Sequence, residues 1–233
     1  MKEESIVTIS IGDIVAQDHR AASIFKEAGI DFCCGGKKSI EQACIEKNID
    51  PEEIRKKLQN LETVPNTTTH NFNEWDLGFL SDYIVNAHHK YVKRTLPEVM
   101  FYTQKIADVH GDRHPELIEV ADLFSQINRE LLQHMENEEK VLFPAIKAVQ
   151  NSGSEDAKEI ISDEIARLSG EHEFAGGAMD KINEITSNYM VPEDGCNSYR
   201  LAFRLLNEFE DDLHVHVHLE NNILFPKSLE TAK

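Results

Sequence analysis

The sequence predicts an all-α protein: a small N-terminal helical domain followed by an up-down bundle of four long helices. Three observations predict it. Glycine and proline are sparse, 11 and 7 among 233 residues, which suits a chain built mostly of helix. From Trp75 onward the pattern is nearly all helical, in segments of roughly 75–107, 116–150, 157–188 and 197–225. The interruptions "HGDRHP", "QNSGSED" and "VPEDG" carry the residues that break helices. They are short, and short connections favour antiparallel neighbours.

The N-terminal domain is expected over residues 1–62. Helix signals lie in "GDIVAQDHRAASIFKEAG", before a turn at "DFCCGG". Ser39 with Gln42 reads as a capping box for "SIEQACIEKN". Asp50, Pro51 and two glutamates open the next helix, because proline fits the first helical position and carboxylates suit its positive end. The polar stretch over 63–74 reads as a linker that lets the first domain swing, and the bundle occupies 75–230. Pro97 should kink the first bundle helix or end its regular part.

Composition narrows the function classes. With 24 basic and 42 acidic side chains the formal charge is −18, so nucleic acid is excluded as a partner and cations are attracted over long range. The start lacks an apolar run behind a basic segment, and no stretch elsewhere is apolar enough to span a bilayer, so neither a signal peptide nor a membrane partner is expected. Cys33, Cys34, Cys44 and Cys196 are too few and unevenly spread for a disulfide scaffold. A reducing cytoplasm is the expected location.

The chemistry is concentrated in an internal repeat. Residues 134–144, "HMENEEKVLFP", and 216–226, "HVHLENNILFP", share the pattern His-x-x-x-Glu-x-x-[Val/Ile]-Leu-Phe-Pro at a spacing of 82 residues. His89 precedes His134 by 45 residues and His172 precedes His216 by 44, so each half adds a histidine from its first helix. Residues four apart share a helix face, which lets His134 with Glu138, and His216 with Glu220, reach one metal. Imidazole with carboxylate suits iron, zinc or manganese. Four histidines and two carboxylates facing inward would be costly without a cation, and they suit two metals bridged by carboxylates.

Helical bookkeeping tests which histidines face the core. His216 shares its face with Phe209, Leu213, Glu220, Ile223 and Leu224, whereas His214 and His218 share one with Glu210 and Asp211 that reads as polar and wet. Ile127, Leu131, Val141 and Leu142 accompany His134, while Ile165, Leu168, Ala175 and Met179 accompany His172. In the first helix the apolar positions favour His88 as much as His89, and repeat spacing tips the choice to His89. Glu130 and Glu171 are candidates to support the ligands from behind. The "LFP" triplets read as apolar packing ended by a helix-stopping proline. His19, His70, His110 and His114 carry no pattern and are expected at the surface or in loops.

"DFCCGGK" places Cys33 and Cys34 together in a glycine turn, where a relaxed disulfide is disfavoured and two thiols can receive a metal, a nitrosyl group or a partner's disulfide. Lys37 and Lys38 are expected to favour thiolate. This motif, with "HHKYVKRTLPEV" at 88–99, "HMENEEKVLFP", "EHEFAG" at 171–176 and "HVHLENNILFP", resembles the iron–sulfur cluster repair family of di-iron proteins over essentially the whole chain. The resemblance implies a hemerythrin-like bundle behind the small domain and two iron ions. It makes His89, His134, His172 and His216 the terminal ligands and Glu138 and Glu220 the bridges. It further implies cytoplasmic proteins, able to dimerise, that repair clusters damaged by oxidative or nitrosative stress, as iron donors more than as enzymes. Its clients would be damaged iron–sulfur proteins, and Cys33 and Cys34 are candidates for redox chemistry or client contact. A hemerythrin-like oxygen- or nitric-oxide-binding sensor, or a nitric oxide reductase, is the alternative.

Overall fold

Ser10 caps the first helix with its side chain, accepting the backbone N–H of Asp13 at 3.1 Å. The computed structural model describes residues 9–62 and 71–232. Helices α1 (Ile11–Gln17), α2 (Ala21–Glu27), α3 (Ile40–Lys47) and α4 (Pro51–Glu62) form the N-terminal lobe. The Ser39–Gln42 capping box is formed, and left-handed Asn48 ends α3. Ile11, Phe25, Ile40 and Ile54 are fully buried and build the lobe's share of the core.

Four long helices follow, and no strand occurs among the described residues. The first comprises α5 (Leu77–Ile84), a π turn over Val85–His89, and α6 (Lys90–His110). The second comprises α7 (Glu116–Asn137), a π turn over Glu138–Leu142, and α8 (Phe143–Ser152). The third is uninterrupted α9 (Glu155–Ile185). The fourth comprises α10 (Asn197–Leu219), a π turn over Glu220–Leu224, and α11 (Phe225–Thr231).

Two apolar clusters divide the bundle along its length, and their order along each helix reveals the alternating direction. Ile84 belongs to one cluster, and Val92 and Leu96 to the other. The second helix meets them in reverse, with Leu131 and Met135 before Leu142 and Phe143. The third returns to the first order with Leu168 before Ala175, and the fourth reverses again with Leu213 before Leu224. Between the clusters every helix presents histidine or glutamate. The fold thus carries one polar layer sealed by apolar layers above and below.

Several expectations need correction. Pro144 and Pro226 do not stop their helices but stand in the first turns of α8 and α11, directly after π turns. In a regular helix the ring would meet the carbonyl four residues back; the wider turn in front relieves that clash. The first bundle helix likewise passes through Pro97 to His110. The third helix ends at Ile185, because Ser187, Asn188 and Tyr189 are left-handed, with φ of 52°, 58° and 57°. The end of the expected linker is anchored: Phe72–Glu74 is a 3₁₀ turn, Phe72 is buried, and Asn73 Nδ2 donates to Ala16 O at 3.2 Å. Its first part and His70 lie outside the described residues. His19 is exposed and His114 half-buried, but His110 is buried in α6 with Nε2 3.2 Å from Cys196 Sγ.

Candidate metal centre

The polar layer gathers His89, His134, Glu138, His172, His216 and Glu220 in one place, all of them essentially inaccessible to solvent. All four histidines aim Nε2 inward. Glu138 Oε2 lies 3.3 Å from His89 Nε2 and 3.2 Å from His134 Nε2. Glu220 lies 3.0 Å from His216 Nε2 through Oε1 and 3.1 Å from His172 Nε2 through Oε2. These donors fall into two sets, His89–Glu138–His216–Glu220 and His134–Glu138–His172–Glu220, whose ligand atoms lie within 4.8 Å of one another. Both glutamates belong to both sets.

The donor set passes a direct test of fit to cations. Both carboxylate oxygens of Glu138, one of Glu220 and Nε2 of His89 are buried without an aligned hydrogen bond, although imidazoles stand within ion-pair distance. Atoms that converge on shared points without pairing to each other suit cations between them. Leaving them unmatched costs roughly 1–3 kcal/mol per group, and more for charged ones. Without metal the layer must hold protons instead. Burial opposes the imidazolium of His134, but Glu138, Glu171 and Glu220 overcome it and push its pKa to about 10. His89 is held at about 9 against burial by Glu138 and Glu220. Burial opposes ionisation of Glu220, yet His216, His172 and His89 hold its carboxyl well below the usual range.

Three of the six donors lie in π turns: His89, Glu138 and Glu220. Such turns insert a residue into the helical ladder and re-aim side chains, and they recur at functional sites. The insertion also explains Val141, expected inside but exposed, while Leu142 and Phe143 are buried. His88 is buried too, but its Nδ1 pairs with Asp212 at 3.0 Å and its ring stacks on His216, so it stands behind a donor and not among them.

The hemerythrin HHE cation-binding domain model matches residues 80–228, and the ScdA_N model, described as a domain of unknown function (DUF542), matches residues 8–62. The iron–sulfur cluster repair protein ScdA of Staphylococcus epidermidis is 35% identical over 221 residues, covering 93% of this chain and 96% of the relative. The iron–sulfur cluster repair protein YtfE of Yersinia pseudotuberculosis is 34% identical over 223 residues, 94% and 96% of the two chains, and that of Yersinia pestis is 34% identical over the same length. The chain belongs to the iron–sulfur cluster repair family.

In this family member the Nδ1 atoms of three donors are fixed from behind. Glu171 Oε2 lies 2.8 Å from His134 Nδ1, and that hydrogen bond, against some burial, holds the Glu171 carboxyl below its ordinary value. Arg167 in turn pairs with Glu171. Glu130, the other expected support, is exposed on α7 and takes no part. Two supports escaped the sequence reading: Glu139 Oε1 lies 2.8 Å from His89 Nδ1, and Asn221 Oδ1 2.9 Å from His172 Nδ1. A signal for them existed, since both directly follow the repeat glutamate and are 82 residues apart. His216 Nδ1 is buried without a partner.

The lobe is seated on the bundle over the fourth helix. Phe32 sets its ring edge against His214 and His218 at centroid distances of 5.8 and 5.9 Å. Asn222 Nδ2 donates to Phe32 O and Cys33 O, each at 3.2 Å. The face expected to be wet is therefore covered: His218 and Glu210 are buried, and burial pushes the His218 pKa down to about 4. Lys38 does not serve the thiols as expected, because it pairs with Glu46 at 2.6 Å, whereas Lys37 lines one cavity with Cys33 and Cys34. The hydrogen bond to Cys34, together with burial, raises the Cys33 pKa well above its ordinary value. No described helix is long and apolar enough to cross a membrane.

Proposed function

We propose that this protein holds two iron ions in the polar layer and repairs iron–sulfur clusters damaged by oxidative or nitrosative stress, supplying iron to them. The observation that carries the reading is the sharing of Glu138 and Glu220 by two four-donor sets. His89 with His216 would hold one ion, His134 with His172 the other, and the two carboxylates would bridge them. Bound iron supplies redox and ligand-binding chemistry at neutral pH.

The chain's own residues divide the remaining work. Glu139, Glu171 and Asn221 each take the outer nitrogen of a histidine, fixing the tautomer that leaves Nε2 free to bind. Ile84, Leu142, Leu168 and Leu224 on one side, and Val92, Leu131, Ala175 and Leu213 on the other, exclude water from the layer. Each ion would be held by two imidazoles and the two shared carboxylates, a donor set that would leave positions open and favour exchange of iron with a client over permanent retention. The relatives named as repair proteins support the client class.

The test is a transfer experiment. Protein loaded with isotopically labelled iron is mixed, without air, with a hydratase whose four-iron cluster has been damaged by peroxide or nitric oxide. Reactivation with label in the rebuilt cluster, lost in a His134→Ala/His216→Ala variant, is the expected result. Reactivation with no label in the cluster would replace iron supply by removal of nitric oxide, and a stable reversible oxygen adduct with no reactivation would favour an oxygen-binding module.

A further inference from the structure

We infer that Asp31, Cys33 and Cys34 form a separate site for a thiophilic divalent cation, placed at the seam between lobe and bundle. The three side chains bring a carboxylate oxygen and two sulfurs within 4.8 Å of one another. The sulfurs are 3.9 Å apart. Two thiolates on one tetrahedral cation, at roughly 2.3 Å from it, stand about 3.8 Å apart. A disulfide requires about 2.05 Å between sulfurs, so the pair as seated has the separation of ligands and not of a bond. Asp31 Oδ1 lies 3.1 Å from Cys33 Sγ, near enough to supply a third ligand.

The surroundings hold this arrangement and give it access. Asp31 accepts the backbone N–H groups of Cys33, Cys34 and Gly35 at 2.9, 2.9 and 2.7 Å, so the carboxylate is fixed before any cation arrives. Cys33 borders two cavities, of about 630 and 260 Å³, one reaching Asp180 and His214 and the other Glu173 and Asn221. Cys34 Sγ meets the backbone oxygen of His172 at 3.5 Å. It fits there because Gly176 has no side chain: a Cβ at that position would stand 3.3 Å from the sulfur. Soft thiolates select zinc, ferrous iron or cobalt over magnesium and calcium. Binding displaces the two thiol protons to solvent, leaving one carboxylate and two thiolates on a doubly charged ion.

The location ties the site to the bundle centre, a link that rests on the di-iron reading. The Cys34 thiol touches the helical turn that carries His172, and one adjoining cavity is lined by Asn221, which holds the His172 ring. The trio therefore lies beside the helical turn and the asparagine that position one histidine of the His134–His172 set.

Cobalt(II) titration of the full chain, without air, separates the two sites. The expected result is a near-ultraviolet sulfur-to-cobalt charge-transfer band in addition to the weak visible bands of cobalt on histidine and carboxylate. Cys33→Ser/Cys34→Ser should lose the first and keep the second, which also shows that the variant is folded. Asp31→Asn keeps an oxygen acceptor for the Cys33 and Cys34 amides and should weaken the sulfur-bound cobalt about tenfold. The band should persist in His134→Ala/His216→Ala, so failure of the bundle centre and failure of this site are read independently. Absence of the band in the wild-type chain, or its survival in the double serine variant, would overturn the assignment; unchanged affinity in Asp31→Asn would remove the carboxylate from it.

Discussion

Glu139 and Asn221 occupy equivalent positions in the two halves of the bundle, and each takes the outer nitrogen of the histidine contributed by the first helix of its half, His89 at 2.8 Å and His172 at 2.9 Å. The repeat therefore includes the groups that orient the donors as well as the donors. The halves differ elsewhere. Glu171 precedes His172 and bonds His134, whereas His88, in the matching place before His89, stacks on His216 and leaves its outer nitrogen unpaired.

Substitution of these supports should weaken metal binding in the half they serve. Glu139→Ala and Asn221→Ala are each expected to lower metal affinity by about 10–100-fold while leaving the helical content unchanged. Competitive titration against a chelator measures it. Two unchanged binding constants would mean that the outer hydrogen bonds do not orient the ligands.

Removing metal should make stability depend on alkaline pH. The folded values of about 10 for His134 and about 9 for His89 lie above the ordinary 6.5. The stabilisation they give is full below about pH 6.5 and is lost as pH rises through 9 and 10, when two buried carboxylates lose their counter-charges. The urea midpoint of metal-free protein should fall between pH 7 and 10. In acid, the depressed carboxyls of Glu138 and Glu220 lose their contribution as pH falls below about 4.5. Metal-loaded protein should lack the alkaline fall, because a bound cation replaces the protons.

The lobe should come away before the bundle unfolds when its seam is damaged. Phe32 is buried against His214 and His218, and Phe32→Ala is expected to cost on the order of 3 kcal/mol. Gly36→Ala should act in the same direction, because a Cβ there would stand 2.6 Å from both Phe32 O and Asn222 Oδ1. Amide exchange should rise in α1–α4 and stay low in the bundle. A uniform rise across both would show that lobe and bundle unfold as one unit.

His214 and His218 together make a sharper control than the sequence suggested. Neither reaches the donor sets, so His214→Ala/His218→Ala should keep the bound metal. It should also loosen the lobe, because His218 is buried under Phe32. Metal analysis and amide exchange on the same sample measure both effects, and loss of metal would place one of these rings at the centre.

What the sequence made legible was periodic. Four long helices, their breaks and the His-x-x-x-Glu repeat all follow from spacing along regular helices. What it concealed were departures from regularity and contacts between distant segments. The π turns at His89, Glu138 and Glu220 carry no compositional mark, so regular periodicity puts Val141 on the wrong face and makes Pro144 and Pro226 look like stops. His218 and Glu210 look like a wet surface until Phe32 and Lys26, from nearly two hundred residues earlier, are placed over them. Glu139 was within reach of the sequence, since it stands in the repeat beside Glu138, but a charge flanking a motif most often faces solvent.

The central claim is that two cations share Glu138 and Glu220, and iron analysis of protein purified without air tests it most directly. Two irons per chain in the wild-type protein, with iron lost from His134→Ala/His216→Ala, is the predicted result. One iron or none in the wild-type protein, or two irons retained by the double variant, would contradict it.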